Sequence, residues 1–113
     1  MAEAAPSVEE MLRAYLDSVK ASINVDKIIL FGSRARGDAL KESDIDLMVV
    51  SKDFEGVPFV RRLELLGLMW RFPKGLEALG YTPREYEELS QGITIVSEAR
   101  KYGKVIYQAV AKP

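Results

Sequence analysis

The sequence predicts one small α/β layer domain, and three observations carry that prediction. Its 113 residues suffice for one hydrophobic core and are marginal for two. Short apolar runs rich in β-branched residues recur along it. Between those runs, apolar residues return every three or four positions, and two such segments open on helix-capping residues. The expected order is α-β-β-α-β-α-α-β, with residues 1–113 as a single domain.

The first helix is "PSVEEMLRAYLDSVKAS". Pro6 leads it, and Ser7 with Glu10 three residues on forms a capping box. Val8, Met11, Leu12, Tyr15, Leu16 and Val19 make one apolar stripe, read as core-facing rather than as a partner surface. "VDKIILF" reads as a buried strand ending at Gly32, and "DIDLMVVS" as a second strand. About a dozen polar or small residues separate the two, too few for a crossover helix and enough for one short helical turn. Parallel and antiparallel pairing both stay open on length alone. "PFVRRLELLGLMWRF" places Phe59, Val60, Leu63, Leu66, Met69 and Trp70 at helical spacing, and Pro73 ends the helix. Met69, Trp70 and Phe72 read as core packing, with a partner surface as their other use.

"GLEALGY" is a short third strand, weakened by its glycines. Thr82-Pro83-Arg84-Glu85 is a helix start, with Thr as cap, Pro at the first position and Glu at the third, and the helix runs to about Ser90. "ITIVSEARKYG" reads as a last helix with a glycine stop, although Ile93 to Val96 also suit a strand. "KVIYQAV" is the final strand.

Composition removes several classes of chemistry. Net charge is −1, so no global basic field attracts nucleic acid, and direct nucleic-acid binding is not expected. There is no cysteine and no histidine. Disulfides, thiol nucleophiles, Cys/His zinc sites and imidazole bases are therefore excluded. A bound metal would have oxygen ligands, which favours Mg²⁺, Mn²⁺ or Ca²⁺. No apolar run reaches the roughly 18 residues of a membrane span, and the N-terminus is acidic and mixed, unlike a signal peptide. A cytoplasmic location without membrane contact is the expectation.

The chemistry concentrates in Phe31 to Val50, "FGSRARGDALKESDIDLMVV". Gly32-Ser33 stands where the first strand ends, so the backbone can approach a ligand closely and turn its amides toward an anion. The Ser33 hydroxyl can donate to a phosphate oxygen, Arg34 and Arg36 add positive charge, and Gly37 lets the chain leave the turn. Taken alone, this reads rather as a strand-to-helix turn with solvated arginines. Asp44 and Asp46 alter the balance. Residues i and i+2 of a strand share a face, about 6.5 Å apart along it. Two carboxylates so placed can hold one hard cation, or two cations roughly 3.5–4 Å apart. Ile45, Leu47 and Val49 face one core, and Met48 and Val50 bury the aspartate face further along. The acids thus sit at the mouth of a buried strand. A phosphate-shaped turn and a metal-shaped pair 11 residues apart imply a metal-bound nucleoside triphosphate.

That stretch resembles the signature of the nucleotidyltransferase superfamily that includes DNA polymerase beta, and looks most like the minimal nucleotidyltransferases of bacteria and archaea. The matching residues are Gly32, Ser33, Gly37, Ser43, Asp44 and Asp46 with their apolar flanks. The resemblance implies the nucleotidyltransferase fold, a small mixed β-sheet flanked by helices. It implies ATP or another nucleoside triphosphate as substrate with Mg²⁺, or Mn²⁺, as cofactor. A third carboxylate from the next core strand completes the metal site in that family, and here Glu77 falls at that place; Glu64, Asp38 and Glu42 are placed less well. On this reading Asp44, Asp46 and Glu77 are catalytic and hold metal, while Gly32, Ser33, Arg34, Arg36, Gly37 and Ser43 bind nucleotide. Glu77 or a metal-bound hydroxide would be the base.

Members of the family commonly act beside a helical HEPN-type partner as the antitoxin, and some transfer AMP to a tyrosine of the toxin. The resemblance therefore implies a protein adenylyltransferase whose partner presents the acceptor hydroxyl. The alternatives are an antitoxin that works by complex formation alone, and a nucleotide-binding relic with a weakened metal site. A homo-oligomer is compatible with the sequence, and no stretch reads as a nucleobase pocket.

Overall fold

The computed structural model describes residues 5–40 and 42–110. Helix α1 (Val8–Ser22) leads into strand β1 (Lys27–Phe31), a short helix α2 (Ser33–Arg36) and strand β2 (Ile45–Val50). Helix α3 (Phe59–Leu68), strand β3 (Leu76–Tyr81), helices α4 (Pro83–Leu89) and α5 (Ile95–Tyr102) and strand β4 (Lys104–Gln108) follow. The expected element order holds, with α2 as the short helical turn between the first two strands. The strands form one mixed sheet in the order β3-β2-β1-β4. β1 runs antiparallel to β2 and to β4, whereas β2 and β3 are parallel. The question that length left open is thus settled as antiparallel. Gly32 and Gly37 both have positive φ, and they turn the chain back along itself at the two ends of α2.

Strand parity divides the sheet into two buried faces. Ile28, Ile45, Leu47, Val49 and Ala78 pack with Tyr15 and Val19 of α1 and Leu66 of α3. Ile29, Phe31, Met48, Val50 and Leu79 pack with Tyr86 of α4 and with Val96 and Ala99 of α5. β2 is central, and every residue from Leu47 to Val50 is buried, as its apolar character on both faces requires. Each such aliphatic side chain contributes about 1.5–3 kcal/mol by leaving water. The Tyr15 hydroxyl donates to the Leu66 carbonyl at 2.6 Å and ties α1 to α3. Burial pushes the Tyr15 phenol above its usual range, so it stays a neutral donor.

The caps follow the sequence. Ser7 with Glu10, and Thr82 with Glu85, form complete capping boxes. A third box, Thr94 with Ser97, fixes the start of α5 at Ile95. The strand option for Ile93 to Val96 therefore fails, and Ile93 projects into solvent.

Helix α3 departs from the periodicity reading. Phe59 and Val60, expected on the apolar stripe, are exposed. The inner row instead holds Arg62 and Leu66, with Leu63, Met69 and Trp70 half-buried beside it. Arg62 is 6% exposed and fully engaged. Its guanidinium donates to the Val57 carbonyl at 2.8 Å, the Gly80 carbonyl at 3.2 Å and the Glu85 carboxylate at 2.6 Å. A buried charge is tolerable only when paired and hydrogen-bonded in this way. Trp70 packs edge-on against Tyr15 and Phe72, and its indole N–H donates to the Lys74 carbonyl at 2.6 Å. This ties down the turn that leads to Gly75 and β3.

Candidate active site

The sheet topology gathers the singled-out residues at one end. Phe31, the last residue of β1, lies opposite Asp46 in the antiparallel register. Asp46 lies beside Glu77 in the parallel register. The phosphate turn, the aspartate pair and the third acid therefore come from three adjacent strands, although Glu77 follows Asp46 by 31 positions in sequence. By parity Asp44, Asp46 and Glu77 belong to the face of Met48, Val50 and Leu79. They lie at the strand ends: Asp44 and Glu77 are exposed and Asp46 is half-buried.

Gly32 has φ 75° and ψ −156°, a region essentially reserved for glycine. A Cβ there would collide with the Asp46 carboxylate, which lies directly over the Gly32 backbone. Gly32 accepts the Ala35 and Arg36 amides on its carbonyl, both at 3.1 Å. The Ser33 and Arg34 amides take no backbone acceptor among the described residues, which leaves them for an anion. Gly37 closes α2 in the left-handed conformation, and its amide donates to the Ser33 carbonyl at 3.0 Å.

Gly75 has a matching role that sequence reasoning missed. A Cβ on it would strike the Asp44 carboxylate, and its carbonyl accepts the Ile45 amide at 2.9 Å. Asp44 thus rests on the approach to β3, while Asp46 rests on the turn after β1. Only the pairing of β2 with β3 reveals this, because Gly75 follows Asp44 by 31 positions in the chain.

The electrostatics reflect the crowding. The Asp46 carboxyl is held above the ordinary carboxylate range, first by burial and then by the charges of Glu77 and Asp44, with Arg36 opposing them. None of the three acids forms an ion pair among the described residues. No three acidic side chains there converge closely enough to enclose a metal ion as they stand. The donor set nevertheless fits a hard divalent cation in kind. It is all oxygen, it is negative, and one member is destabilised by its neighbours in a way that a cation would relieve.

The other singled-out residues separate. Arg36 bonds Asp38 at 3.3 Å and lines a cavity of about 130 Å³ with Gly32 and residues of α5. Arg34 lines a different cavity of about 550 Å³, with the start of α1, Glu42 and Gly75. It donates to the Ser43 carbonyl at 2.9 Å, and the Ser43 hydroxyl accepts the Leu40 amide at 2.9 Å. Glu64 is exposed on α3.

A nucleotidyltransferase domain model matches residues 12–107. The chain belongs to that family. Curated relatives agree over shorter stretches. A provisionally named protein adenylyltransferase of Methanocaldococcus jannaschii is 41% identical over 59 residues, which covers 52% of this chain and 59% of the relative. The protein adenylyltransferase MntA of Thermococcus cleftensis is 37% identical over 51 residues, covering 45% and 48%. The chain spans about half the length of the curated relatives it matches. Two crystal structures share this fold at low identity. A provisionally named nucleotidyltransferase of Sulfolobus solfataricus has a TM-score of 0.63 and 22% identity, covering 96% of this chain and 92% of that one. A toxin–antitoxin structure with AMP-PNP has a TM-score of 0.57 and 18% identity, covering 86% and 73%. Among the described residues no helix is long and apolar enough to cross a membrane.

Proposed function

We propose that this chain transfers AMP from ATP to a hydroxyl on a partner protein, and that it is the antitoxin half of a toxin–antitoxin pair with a helical HEPN-type toxin. One observation carries the chemical part. Phe31, Asp46 and Glu77 lie in one register row across three strands, and the Gly32–Ser33 turn follows Phe31 directly, with the Asp46 carboxylate against Gly32. A triphosphate on the turn would bring its α-phosphorus within reach of the carboxylates. The protein-acceptor and toxin–antitoxin parts are supported by the names of the relatives and of one structural neighbour.

Each residue has a role that follows from its place. The free amides of Ser33 and Arg34 and the Ser33 hydroxyl hold phosphate oxygens and the leaving pyrophosphate. Arg36, on the same side of the turn as Gly32, adds charge there. Asp44, Asp46 and Glu77 would hold Mg²⁺ or Mn²⁺, which supplies charge neutralisation and a lowered acceptor pKa when bound. Glu77, exposed on the edge strand, or a metal-bound hydroxide would receive the acceptor proton. Gly32 and Gly75 keep the space that the two aspartates occupy.

The test uses the chain co-purified with its native partner, Mg²⁺ and α-labelled ATP. Label is expected in the partner, with loss of at least ~10²-fold in Asp46→Ala, the scale of removing a group that stabilises transition-state charge. A partner that Asp46→Ala still silences, with no label incorporated by the wild-type complex, would show that complex formation alone does the work.

A further inference from the structure

The two arginines of the β1–β2 connection line different cavities, and only that of Arg36 includes Gly32, the residue under the Asp46 carboxylate. Arg36 shares its cavity with Gly32 and with Glu98 and Tyr102 of α5, the helix that covers the face of Met48 and Val50. Arg34 shares its cavity with Val8 and Met11 of α1, which covers the opposite face, and with Glu42 and Gly75. We propose that Arg34 is a positioning residue that clasps the phosphate turn to the strand carrying Asp44 and Asp46, and is not a nucleotide ligand. This rests on the nucleotidyl transfer proposed above.

The bonding around Ser43 supports the clasp. The Ser43 amide donates to the Leu40 carbonyl at 3.0 Å, and the Ser43 hydroxyl accepts the Leu40 amide at 2.9 Å. Its carbonyl remains, and Arg34 Nη2 donates to it at 2.9 Å. Ser43 directly precedes Asp44, so a bond from α2 to that carbonyl fixes how far the metal-shaped pair stands from the Gly32–Ser33 turn. The Arg34 Nε is buried and has no hydrogen-bond partner among the described residues. A guanidinium that served phosphate would turn its fork of donors outward. This one has its Nε buried and uses an outer nitrogen on a backbone carbonyl. Ser43 then also acts through the loop it knots, rather than through nucleotide contact.

A wild-type measurement and a variant test this independently. In ¹⁵N-resolved NMR, the Arg34 Nε–H should exchange slowly with solvent and stay unshifted when Mg²⁺–AMP-PNP is added, while Arg36 shifts; Arg34→Lys and Arg36→Lys each remove one of the eight arginine signals and so assign the two. For Arg34→Met, Mn²⁺ affinity of the nucleotide-free protein, read by electron paramagnetic resonance, should fall about 10-fold, the low end of the scale of losing a residue that orients metal ligands. In transfer assays kcat should fall with KM for ATP within about twofold, and Arg34→Lys should recover most of both losses. A nucleotide-induced shift of Arg34, or a KM rise of about tenfold with unchanged Mn²⁺ affinity, would make Arg34 a phosphate ligand and overturn the proposal. So would an Arg34→Met protein that matches wild type throughout. Should Arg34→Met fail to fold, the wild-type NMR measurement still decides. Should the wild-type protein transfer no label, the functional reading falls, and the Mn²⁺ comparison still decides the role of Arg34.

Discussion

At Gly32 a single hydrogen atom in place of a methyl group determines whether the turn and the acid pair can coexist. The backbone conformation there is one that a side chain strains by about 1–3 kcal/mol. A Cβ would also displace the Asp46 carboxylate. Gly32→Ala is therefore expected to lower stability by ~1–3 kcal/mol in urea denaturation and to weaken Mn²⁺ binding by at least ~10-fold. Gly37→Ala is the internal comparison. Its φ is also positive, at 84°, but nothing lies within 4 Å of the added Cβ. It should lose about 1–2 kcal/mol to the left-handed backbone alone and leave Mn²⁺ affinity much closer to wild type. Equal Mn²⁺ losses in the two variants would mean that the Asp46–Gly32 contact does not shape the site. The glycine of the turn was legible in the sequence because strand, glycine and polar turn are contiguous. Gly75 was not, because its partner Asp44 is brought to it only by β2–β3 pairing.

Among the elements, helix α3 shows where pattern reading runs out. Apolar spacing assigned the inner row to Phe59, Val60, Leu63 and Leu66, yet the structure gives a place in it to Arg62 and exposes the first two. A hydrophobicity pattern cannot anticipate a buried arginine, because what makes it tolerable is a carboxylate on a different helix. Helices α1 and α4 were legible because their caps lie within four residues of sequence. The Arg62–Glu85 pair joins α3, β3 and α4. It also lies in the second capping box, since Glu85 accepts the Thr82 amide at 2.8 Å. Glu85→Ala should cost about 2 kcal/mol, less than the ~3–5 kcal/mol of a fully buried pair, because the Glu85 side chain is 40% exposed. The hydrogen bonds from Arg62 hold the Glu85 carboxyl below its usual range despite partial burial. A depressed folded pKa gives stability that is present above the unfolded value, near 4.3, and is lost as pH falls through the folded one. Wild type should therefore lose part of its margin over Glu85→Ala as pH drops below about 4, in parallel urea titrations. A margin that does not shrink would mean that the pair is already uncoupled in solution.

Across the whole molecule, the sheet order concentrates like charge at one end of the fold. β2 lies inside the sheet with both faces buried, so Asp46 cannot move away from Glu77 on the neighbouring strand without disturbing the core. The sequence showed the aspartate pair, but not that three strand ends would bring Glu77 level with Asp46, because that depends on a parallel pairing across α3. The consequence is a pH dependence opposite to that of Glu85. The Asp46 carboxyl is raised by burial and by Glu77 and Asp44, so its contribution to stability is fully present below the unfolded value, near 3.9, and is lost as pH rises through the raised folded value. A divalent cation would occupy the role that the proton gives up. In EDTA at neutral pH, Asp46→Asn should be more stable than wild type by ~0.5–1 kcal/mol, while losing transfer activity. Added Mg²⁺ should reverse the order. At 100 times its dissociation constant a ligand stabilises the folded state by about 2.7 kcal/mol. For a chain of this size that corresponds to a melting-temperature rise on the order of 10 °C for wild type. The same addition should leave Asp46→Asn nearly unmoved. Calorimetric scans of both proteins, with EDTA and with Mg²⁺, measure all four values. A wild-type protein that is the more stable of the two in EDTA, or that does not respond to Mg²⁺, would mean that the strand ends are not built around a cation.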